Sequence, residues 1–578
     1  MGNSEITRRE FLSATALAML PLGCPLWAAG QKPILKIGFL TDTHVCERES
    51  SCDLVRGAMR IFREQGCAAV VHCGDLADLH YENGYRNYRA AVDAAFPPDL
   101  PTRPDFLYVH ANHDIIDPVK ARDPKQSANR FMDPNEAFAK MDRLLHDAEQ
   151  PHFVSRVYDG FPILVFPQDM RLVGGYPAFE EKVASVCRTH PGKPVIVCVH
   201  IPAKDTTYNS GQWGNWTMRK ILDKYPQVVC FGGHVHNSLR NDLCIWQGNF
   251  TAVDVGCLQE WHGITFGTPV AGKNAYEVIV TEFLADSSLR IRRFDVRDGS
   301  EISPLAPWTV PLRRDPERPG AFAAGAQAEC LVDAVPFSSV RVRFPTVANA
   351  ENVIHYRIVA ERKVPDGWTA CARCDVYGEF YLRPQDRKGV LEGSFSDGYF
   401  DGGDYRFTVT PIGFFGTMGH PLEVEWKMPA KRPMRTVWSC GNPMEELKFR
   451  TGWTHNAQDA AKVVDVTVRD GWVKHDGPTW AVLPMNIWQR QKGVKLRLTA
   501  DLRIDQNPAS DGATVVPRAM DGSQRRPCMW ITVPPDAKGV FRAVFDFTLK
   551  TSGVPYDFGI MQGDVEKFRI ESLKLEEM

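Results

Sequence analysis

The sequence predicts an α/β domain followed by two all-β sandwich modules. Between Leu35 and about Val296, short apolar strands alternate with amphipathic helical segments, which is the pattern of a layered α/β structure. Beyond that point helical periodicity nearly disappears, and short strands separated by turn residues replace it. A chain of 578 residues is also too long for one core, since single cores stop growing at about 250 to 300 residues.

Residues 1–30 are predicted to be a twin-arginine-type signal peptide and are kept out of the fold. Paired arginines precede an apolar run that is shorter than the roughly 20 residues needed to span a bilayer. Cleavage at Ala28 or Ala29 would release the protein, whereas lipidation of Cys24 would tether it. We therefore expect an exported protein, periplasmic or at the cell surface; release is favoured over lipidation of Cys24, which would be its only membrane anchor.

Two proline-containing segments divide the rest of the chain. Residues 31–302 hold the α/β pattern, and the prolines of residues 303–327 predict a semi-rigid linker. Residues 328–430 are strand-rich, and their segment Asp401–Gly413 resembles the closing strands of fibronectin type III modules. Residues 436–578 resemble a jelly-roll module of carbohydrate-active proteins, for which glycan binding and a purely structural role are both open.

The charge balance bears on the partners of the protein. Lys and Arg number 68 against 70 Asp and Glu, which gives a formal net charge of −2. Nucleic-acid binding usually requires a basic surface, and this composition does not indicate one. We therefore expect no nucleic-acid partner.

Five short polar motifs follow apolar strands of the first domain. The carboxyl ends of strands in α/β sheets are where ligand sites form, so these motifs are expected to meet. Their carboxylates, imidazoles and amide suit divalent ions such as zinc, manganese or iron. Capping or turn formation explains any one motif alone, but five ordered occurrences favour a metal site. The motifs are Asp42-Thr43-His44, Gly74-Asp75, Asn112-His113-Asp114, His200 and Gly233-His234-Val235-His236.

This series of motifs resembles the signature of the calcineurin-like metallophosphoesterases over about residues 34–300. The resemblance implies a β-sandwich flanked by helices and a binuclear centre with two divalent metal ions. It implies one ion held by Asp42, His44 and His236, a second held by Asn112, His200 and His234, and Asp75 bridging both. Ala111 departs from the family pattern, which usually has Gly there, and Ala lacks the easy access of Gly to positive φ.

The resemblance also implies a metal-dependent phosphoric ester hydrolase acting on phosphomonoesters or phosphodiesters by attack of a metal-activated hydroxide. His113 is the candidate general acid for the leaving group, and Asp114 would orient or charge-tune its ring. Asp78 fits either a position behind the ligands or a helix cap. Tyr208 and Trp213, on the loop after His200, are candidates for stacking on a base, sugar or aryl leaving group.

A second hypothesis is a surface or glycan-binding protein whose phosphoesterase domain is catalytically inactive. The intact set of ligand residues argues against it, and Ala111 is the one mark in its favour. In the preferred hypothesis the two β-modules place the enzyme on a glycan or cell-surface ligand. Residues 31–302 are then expected to fold alone and to retain activity on small esters.

Overall fold

The computed structural model describes residues 31–577, apart from residues 124–128, 209, 259–275, 303–304, 312–318, 333–338, 366, 430–433, 453–463, 476, 491, 508–511, 520–530, 534–538 and 550–555. The described chain forms an α/β domain followed by all-β sheets, which confirms the predicted fold class. The predicted signal peptide lies outside the described residues. In the part of the chain that the structure describes, no helix combines the length and apolar character needed to cross a membrane.

Twelve strands of the first domain form two six-stranded sheets. The strands are β1 Leu35–Leu40, β2 Ala69–His72, β3 Asp105–Tyr108, β4 Val154–Tyr158, β5 Phe161–Val165, β6 Val195–Cys198, β7 Val228–Gly232, β8 Ile245–Gln247, β9 Thr251–Asp254, β10 Glu277–Phe283, β11 Leu289–Asp295 and β12 Trp308–Val310. The first sheet has the order β12-β11-β10-β1-β2-β3, and the second has the order β4-β5-β6-β7-β9-β8. Strands β1 to β3 are parallel to one another, and so are β5, β6, β7 and β9.

The two sheets pack face to face, and helices cover their outer faces. Phe39 of β1 stacks on Phe231 of β7 with ring centroids 4.1 Å apart. Because both faces of each sheet are covered, β5 and β7 are apolar and buried along their whole length. The helices are α1 Asp53–Gln65, α2 Glu82–Ala95, α3 Pro118–Arg122, α4 Pro134–His146, α5 Gly175–Thr189, α6 Ser210–Trp213 and α7 Trp216–Leu222.

Local sequence signals explain where these helices begin and end. Val55, Ala58 and Phe62 bury one face of α1, and Gly66 ends this helix in the left-handed conformation at φ 68°. At the start of α4, the Asp133 carboxylate accepts hydrogen bonds from the backbone N–H groups of Asn135 and Glu136. The helices thus cover the sheets and leave the carboxyl ends of the parallel strands free for loops.

The first domain extends beyond residue 302, so the predicted linker at 303–327 begins too early. Strand β12 pairs with β11, and its Trp308 side chain is fully buried. The prolines excluded a central strand, but they are compatible with this three-residue edge strand. The same core includes Phe380, Tyr381 and Phe414 of the second module. Residues 31–302 therefore lack part of their own core, contrary to the expectation that they fold alone.

The later sheets make two β-sandwiches. In the first sandwich, the sheets have the orders β13-β14-β17 and β16-β15-β18-β19. Its strands are β13 Glu329–Val332, β14 Ser339–Pro345, β15 Val353–Val364, β16 Gly367–Tyr377, β17 Val390–Ser396, β18 Gly403–Gly413 and β19 Leu422–Met428. Its resemblance to fibronectin type III modules stays a prediction.

The last module also consists of two sheets around its own core. Its elements are β20 Arg435–Cys440, α8 Pro443–Glu446, β21 Phe449–Thr451, β22 Val464–Val466, β23 Val473–Lys474, β24 Thr479–Ala481, β25 Lys495–Gln506, β26 Ala513–Ala519, β27 Ile531–Val533, β28 Phe541–Thr548, β29 Tyr556–Gln562 and β30 Val565–Glu577. One sheet runs β20-β30-β25-β28, with β23 added on β30, and the other runs β22-β21-β24-β29-β26-β27.

Buried charges and a backbone contact connect the last module to the other two units. The Arg497 side chain, only 2% exposed, donates to the carboxylate of Asp397 in the second module and to Asp546 of its own module at 2.6 Å. On the first domain, α6 lies against β29, with Cα atoms within 8 Å. The last module therefore contacts the helix that follows the predicted ligand His200.

Candidate metal centre

All seven predicted metal ligands lie on loops that directly follow parallel strands. Because the strands of both sheets end at the same side of the domain, these loops meet above the interface between the sheets. Asp42 and His44 follow β1, Asp75 follows β2, Asn112 follows β3, His200 follows β6, and His234 and His236 follow β7.

Five of these residues have left-handed backbone conformations. The φ angles are 49° at Asp42, 42° at His44, 52° at Asp75, 72° at His234 and 48° at His236. Such conformations cost a residue other than glycine about 1–3 kcal/mol, and they concentrate at functional sites. The surrounding structure therefore holds these loops in a shape that favours the placement of their side chains over local backbone stability.

The first group of ligands consists of Asp42, His44 and His236, whose ligand atoms all lie within 4.8 Å of one another. The distance from His236 Nε2 to Asp42 Oδ1 is 3.0 Å, and the two histidine Nε2 atoms are 3.2 Å apart. The other Asp42 oxygen, Oδ2, accepts hydrogen bonds from Thr41 Oγ1 at 2.8 Å and from the His234 backbone N–H at 2.9 Å. These bonds orient the carboxylate so that Oδ1 faces the histidines.

The second group consists of Asp75, His200 and His234, again with ligand atoms within 4.8 Å of one another. His200 Nε2 lies 3.0 Å from Asp75 Oδ2 and 3.1 Å from His234 Nδ1. His200 Nδ1 donates to the backbone oxygen of Cys73 at 2.9 Å, which directs Nε2 into the group. Asp75 Oδ2 is also 3.9 Å from His44 Nε2, so Asp75 lies between the two groups.

Asn112 offers a neutral oxygen. Its side-chain Oδ1 is buried and accepts no hydrogen bond from any residue that the structure describes. A buried acceptor without a partner costs about 1–3 kcal/mol, so such an atom calls for a ligand. A divalent cation would satisfy it without adding another negative charge.

The electrostatics of the two groups also favour cations. Burial alone raises the pKa of Asp42, but the charges of His236 and His200 outweigh burial and hold the pKa well below its ordinary value. Burial lowers the pKa of His44, yet the Asp42 and Asp78 carboxylates raise it to about 10. Carboxylates that hold protons on neighbouring imidazoles in this way also attract divalent ions, which would displace those protons because a metal-bound imidazole is neutral. The donor set therefore fits a centre of divalent metal ions.

Residues 35–238 match the family model of the calcineurin-like phosphoesterases. This part of the chain is similar to a calcineurin-like phosphoesterase domain. The resemblance predicted from the five motifs is thereby confirmed. No curated protein sequence matches the chain significantly.

Solved structures show only remote likeness to the whole chain. A tandem CBM22 domain of Paenibacillus barcinonensis Xyn10C is 10% identical, covering 46% of this chain and 96% of its own at a TM-score of 0.19. A CBM6 module of Cellvibrio mixtus lichenase 5A is 8% identical, covering 25% of this chain and 98% of its own at a TM-score of 0.16. Arthrobacter globiformis T6 isomalto-dextranase is 9% identical, with 93% and 96% covered at a TM-score of 0.16. TM-scores this low support no inference about ligands.

His113 of the phosphoesterase domain is held by two hydrogen bonds. Its backbone N–H donates to Asp75 Oδ1 at 3.0 Å, and its ring Nδ1 is 2.8 Å from the backbone oxygen of Asp78. The ring also meets the His44 ring edge to face, with centroids 4.6 Å apart. The Asp78 carboxylate lies 3.7 Å from the Nδ1 atoms of both histidines. Asp78 thus stands behind the ligands, which is one of the two positions considered for it.

The structure does not place Asp114 against the His113 ring. Its carboxylate Oδ1 accepts instead from the Ala77 backbone N–H at 2.9 Å, and its backbone oxygen accepts from the Tyr85 hydroxyl at 3.2 Å. Burial and the nearby Asp75 charge raise the pKa of Asp114 to about 7. The turn at His113–Ile115 directs the Asp114 side chain into the protein, and the hydrogen bond that orients the His113 ring is the one to the Asp78 backbone oxygen.

Ala111 causes no strain in the loop that carries Asn112. It is absent from the residues with positive φ, so its backbone is one that alanine adopts freely. The close approach is at Gly74, where a Cβ would lie 2.5 Å from His200 Nδ1 and 2.8 Å from Ala111 Cβ. The single departure from the family pattern therefore gives no support to an inactive site.

Of the two predicted substrate residues, Trp213 reaches the ligand groups. Its ring is 52% exposed and meets the His234 ring edge to face, with centroids 5.8 Å apart. Tyr208 lies on the same loop, where its backbone N–H donates to the Leu243 oxygen at 2.9 Å. Substrate contact by Trp213 and Tyr208 stays a prediction.

Two polar residues near the ligands were missed in the sequence. Thr41 holds the Asp42 carboxylate, and Gln168 accepts a hydrogen bond from the Asn112 backbone N–H at 3.0 Å. Gln168 follows β5, which is parallel to β6. The rule that located the other loops, polar residues after parallel strands, would have indicated it.

Proposed function

We propose that the protein hydrolyses phosphomonoesters or phosphodiesters at a centre of two divalent ions, with zinc, manganese or iron as the candidates. The observation that supports this best is the meeting of two three-residue ligand groups on strained loops, with Asp75 between them. The match of residues 35–238 to the calcineurin-like phosphoesterases supports a phosphate ester as the substrate class.

The two ligand groups support one ion at each. Asp42, His44 and His236 would hold the first ion; His200 and His234 would hold the second together with Asn112, whose buried Oδ1 lacks a hydrogen-bond partner among the described residues; and Asp75, which is grouped with these two histidines, would serve both. Ions in such a centre lower the pKa of water and neutralise the phosphoryl oxygens. Trp213 beside His234 then borders the position of the ester and favours a leaving group with a flat face.

His113 is the residue that we assign to the leaving group. A ring Nδ1–H that donates to the Asp78 backbone oxygen leaves Nε2 as the nitrogen that exchanges a proton with the substrate. The bond from the His113 backbone to Asp75 fixes the ring beside the ligands. In its protonated form, His113 would donate from Nε2 to the oxygen that departs from phosphorus.

Two esters with different leaving groups test this assignment. His113→Ala should lower kcat by roughly 10² to 10⁴ for an alkyl phosphate, but much less for a nitrophenyl ester whose leaving group needs no proton. His190→Ala is the matched control, because His190 ends α5 and binds Val186 and Thr189 there. Equal losses on both esters with unchanged metal content would remove His113 from the general-acid role. Metal-loaded protein inactive on every ester tested would refute the proposed function itself.

We further propose that the protein is exported, on the strength of the paired arginines and apolar run within residues 1–30. Fractionation of cells that express the full chain tests this, with lysine in place of both arginines as the control. Retention of both forms in the cytoplasm would overturn it. A glycan ligand for the last module stays a prediction from the sequence pattern, and retention on immobilised polysaccharides would test it.

A further inference from the structure

Gln168 lies where the two sheets of the phosphoesterase domain come together. It is half-buried and follows β5, on the second sheet, after Phe166 and Pro167. The loop that carries Asn112 follows β3, on the first sheet. The second ligand group contains two histidines besides Asp75, namely His200 and His234, and both follow strands of the second sheet. Asn112 must therefore be held across the boundary between the sheets to join them.

Two hydrogen bonds from Gln168 make this connection. Its backbone N–H donates to the His110 oxygen at 2.8 Å, and its side-chain Oε1 accepts from the Asn112 backbone N–H at 3.0 Å. An N–H donor requires the oxygen of the carboxamide to face it, which fixes the orientation of the Gln168 side chain. The two bonds grip the loop on either side of Ala111.

A second clamp acts on the next peptide of the same loop. The His113 backbone N–H donates to Asp75 Oδ1, while Asp75 Oδ2 lies 3.0 Å from His200 Nε2. Asn112 thus stands between a bond to Gln168 and a bond to a ligand carboxylate. Its own Oδ1 is buried and accepts no hydrogen bond from the described residues that would keep it in place.

We propose that Gln168 is a positioning residue that fixes Asn112 so that its side-chain oxygen can bind the second ion. This inference rests on the proposed binuclear centre. It assigns to Gln168 an effect on the second ion and little on the first, since its side chain holds the loop after β3, whereas Asp42, His44 and His236 follow β1 and β7. Residues that orient metal ligands typically contribute 10- to 100-fold to metal affinity.

Substitutions of similar length separate the hydrogen bond from the packing. Gln168→Met fills the same space but cannot accept from the Asn112 N–H, and it leaves the backbone bond to His110 intact. Gln168→Glu keeps an acceptor at the same reach. Gln227→Met is the matched control, because Gln227 is also half-buried and its side chain donates to the His190 and Lys193 oxygens. Gln227 directly precedes β7, whereas the ligands His234 and His236 follow the other end of that strand.

The measurement is titration of the metal-free full chain with Zn²⁺ alone, followed by elemental analysis after dialysis. We expect two ions per chain in the wild type, Gln168→Glu and Gln227→Met, and about one in Gln168→Met, with the weaker site reduced 10- to 100-fold in affinity. Gln168→Met that binds two ions as tightly as the wild type would overturn the proposal, and so would equal weakening of both sites. Should Gln168→Met fail to fold, Gln168→Asn, one methylene too short to reach, replaces it with the same expected loss.

The readout is separate from catalysis. A wild-type chain that binds two ions but hydrolyses no ester would refute the proposed function and leave the role of Gln168 to be decided by the metal titration. A wild-type chain that binds a single ion would refute both.

Discussion

Replacement of Gly233 by alanine should displace the Asp42 carboxylate through steric contact alone. A Cβ at position 233 would lie 2.1 Å from Thr41 Oγ1 and 2.5 Å from Asp42 Oδ2. Real Cβ atoms essentially never come closer than 3.0 Å to another atom, so these two distances are too short by 0.9 and 0.5 Å. Thr41 and Asp42 must therefore move, and Oδ2 would lose the position in which it accepts from the His234 backbone. Gly233 is not among the glycines with positive φ, so the substitution adds no strain of that kind.

A shift of this size is large for a catalytic group. A misplacement of about 1 Å can reduce turnover roughly 10²-fold, and overpacking typically costs about 1–3 kcal/mol of stability. We therefore expect Gly233→Ala to lower kcat/KM about 100-fold on a nitrophenyl ester and to weaken the ion bound by Asp42, His44 and His236.

The neighbouring glycine provides the control. In Gly232→Ala the new Cβ would lie 3.4 Å from Pro202 Cα and 3.5 Å from the His200 oxygen, which is ordinary contact. Kinetics and zinc content should be measured for both variants and the wild type under the same conditions. If Gly233→Ala matches Gly232→Ala in both properties, Asp42 is not held by the contacts described, and its place in the ligand group is wrong.

Three further outcomes are expected. Asp75→Asn should reduce zinc binding at both sites, because Asp75 lies between the two ligand groups; loss of a single ion in elemental analysis would contradict this. A fragment of residues 31–302 should fail to show a cooperative thermal transition, because it lacks Trp308 and the Phe380, Tyr381 and Phe414 side chains that complete its core; a sharp transition with bound metal would show that these side chains are dispensable. Arg497→Ala should cost about 3–5 kcal/mol in denaturant unfolding, because it leaves the buried Asp397 carboxylate unpaired, whereas Arg503→Ala at an exposed pair should cost about 0–1 kcal/mol; similar values would show that the buried pair contributes little.

The alternation of strands and helices was sufficient to predict the first domain, because strands such as Phe161–Val165 and Val228–Gly232 are apolar and buried along their length and the longer helices, such as Asp53–Gln65, bury one face. Its C-terminal boundary was not predictable in the same way. Proline content limits local conformation but does not show which apolar side chains share a core, and Trp308 belongs to the same core as Tyr381 of the next module. That core joins residues distant in sequence, so local patterns could not reveal it.

The sequence was sufficient to predict the ligand residues of the candidate site, but not the groups that orient the site side chains. Asp42, His200 and the other ligands were recognisable because their residue types recur at strand ends. Asp114 was expected to orient or charge-tune the His113 ring, but neighbouring residues in a tight turn point in different directions, and the hydrogen bond of the ring is to the carbonyl of Asp78. A backbone acceptor leaves no trace in residue identity, so the sequence could not indicate this contact.

The contact between α6 and β29 has a consequence for how such a chain can diversify. Accessory modules on flexible linkers can be exchanged or lost by recombination while the enzyme they accompany stays intact. Here the last module lies against the helix that ends with Trp213, whose ring meets the His234 ring, so an exchange would also alter the surroundings of the ligand loops. The three units are therefore expected to be inherited and replaced together, and a graft of the first domain onto a different β-module should require changes in the loop that follows His200.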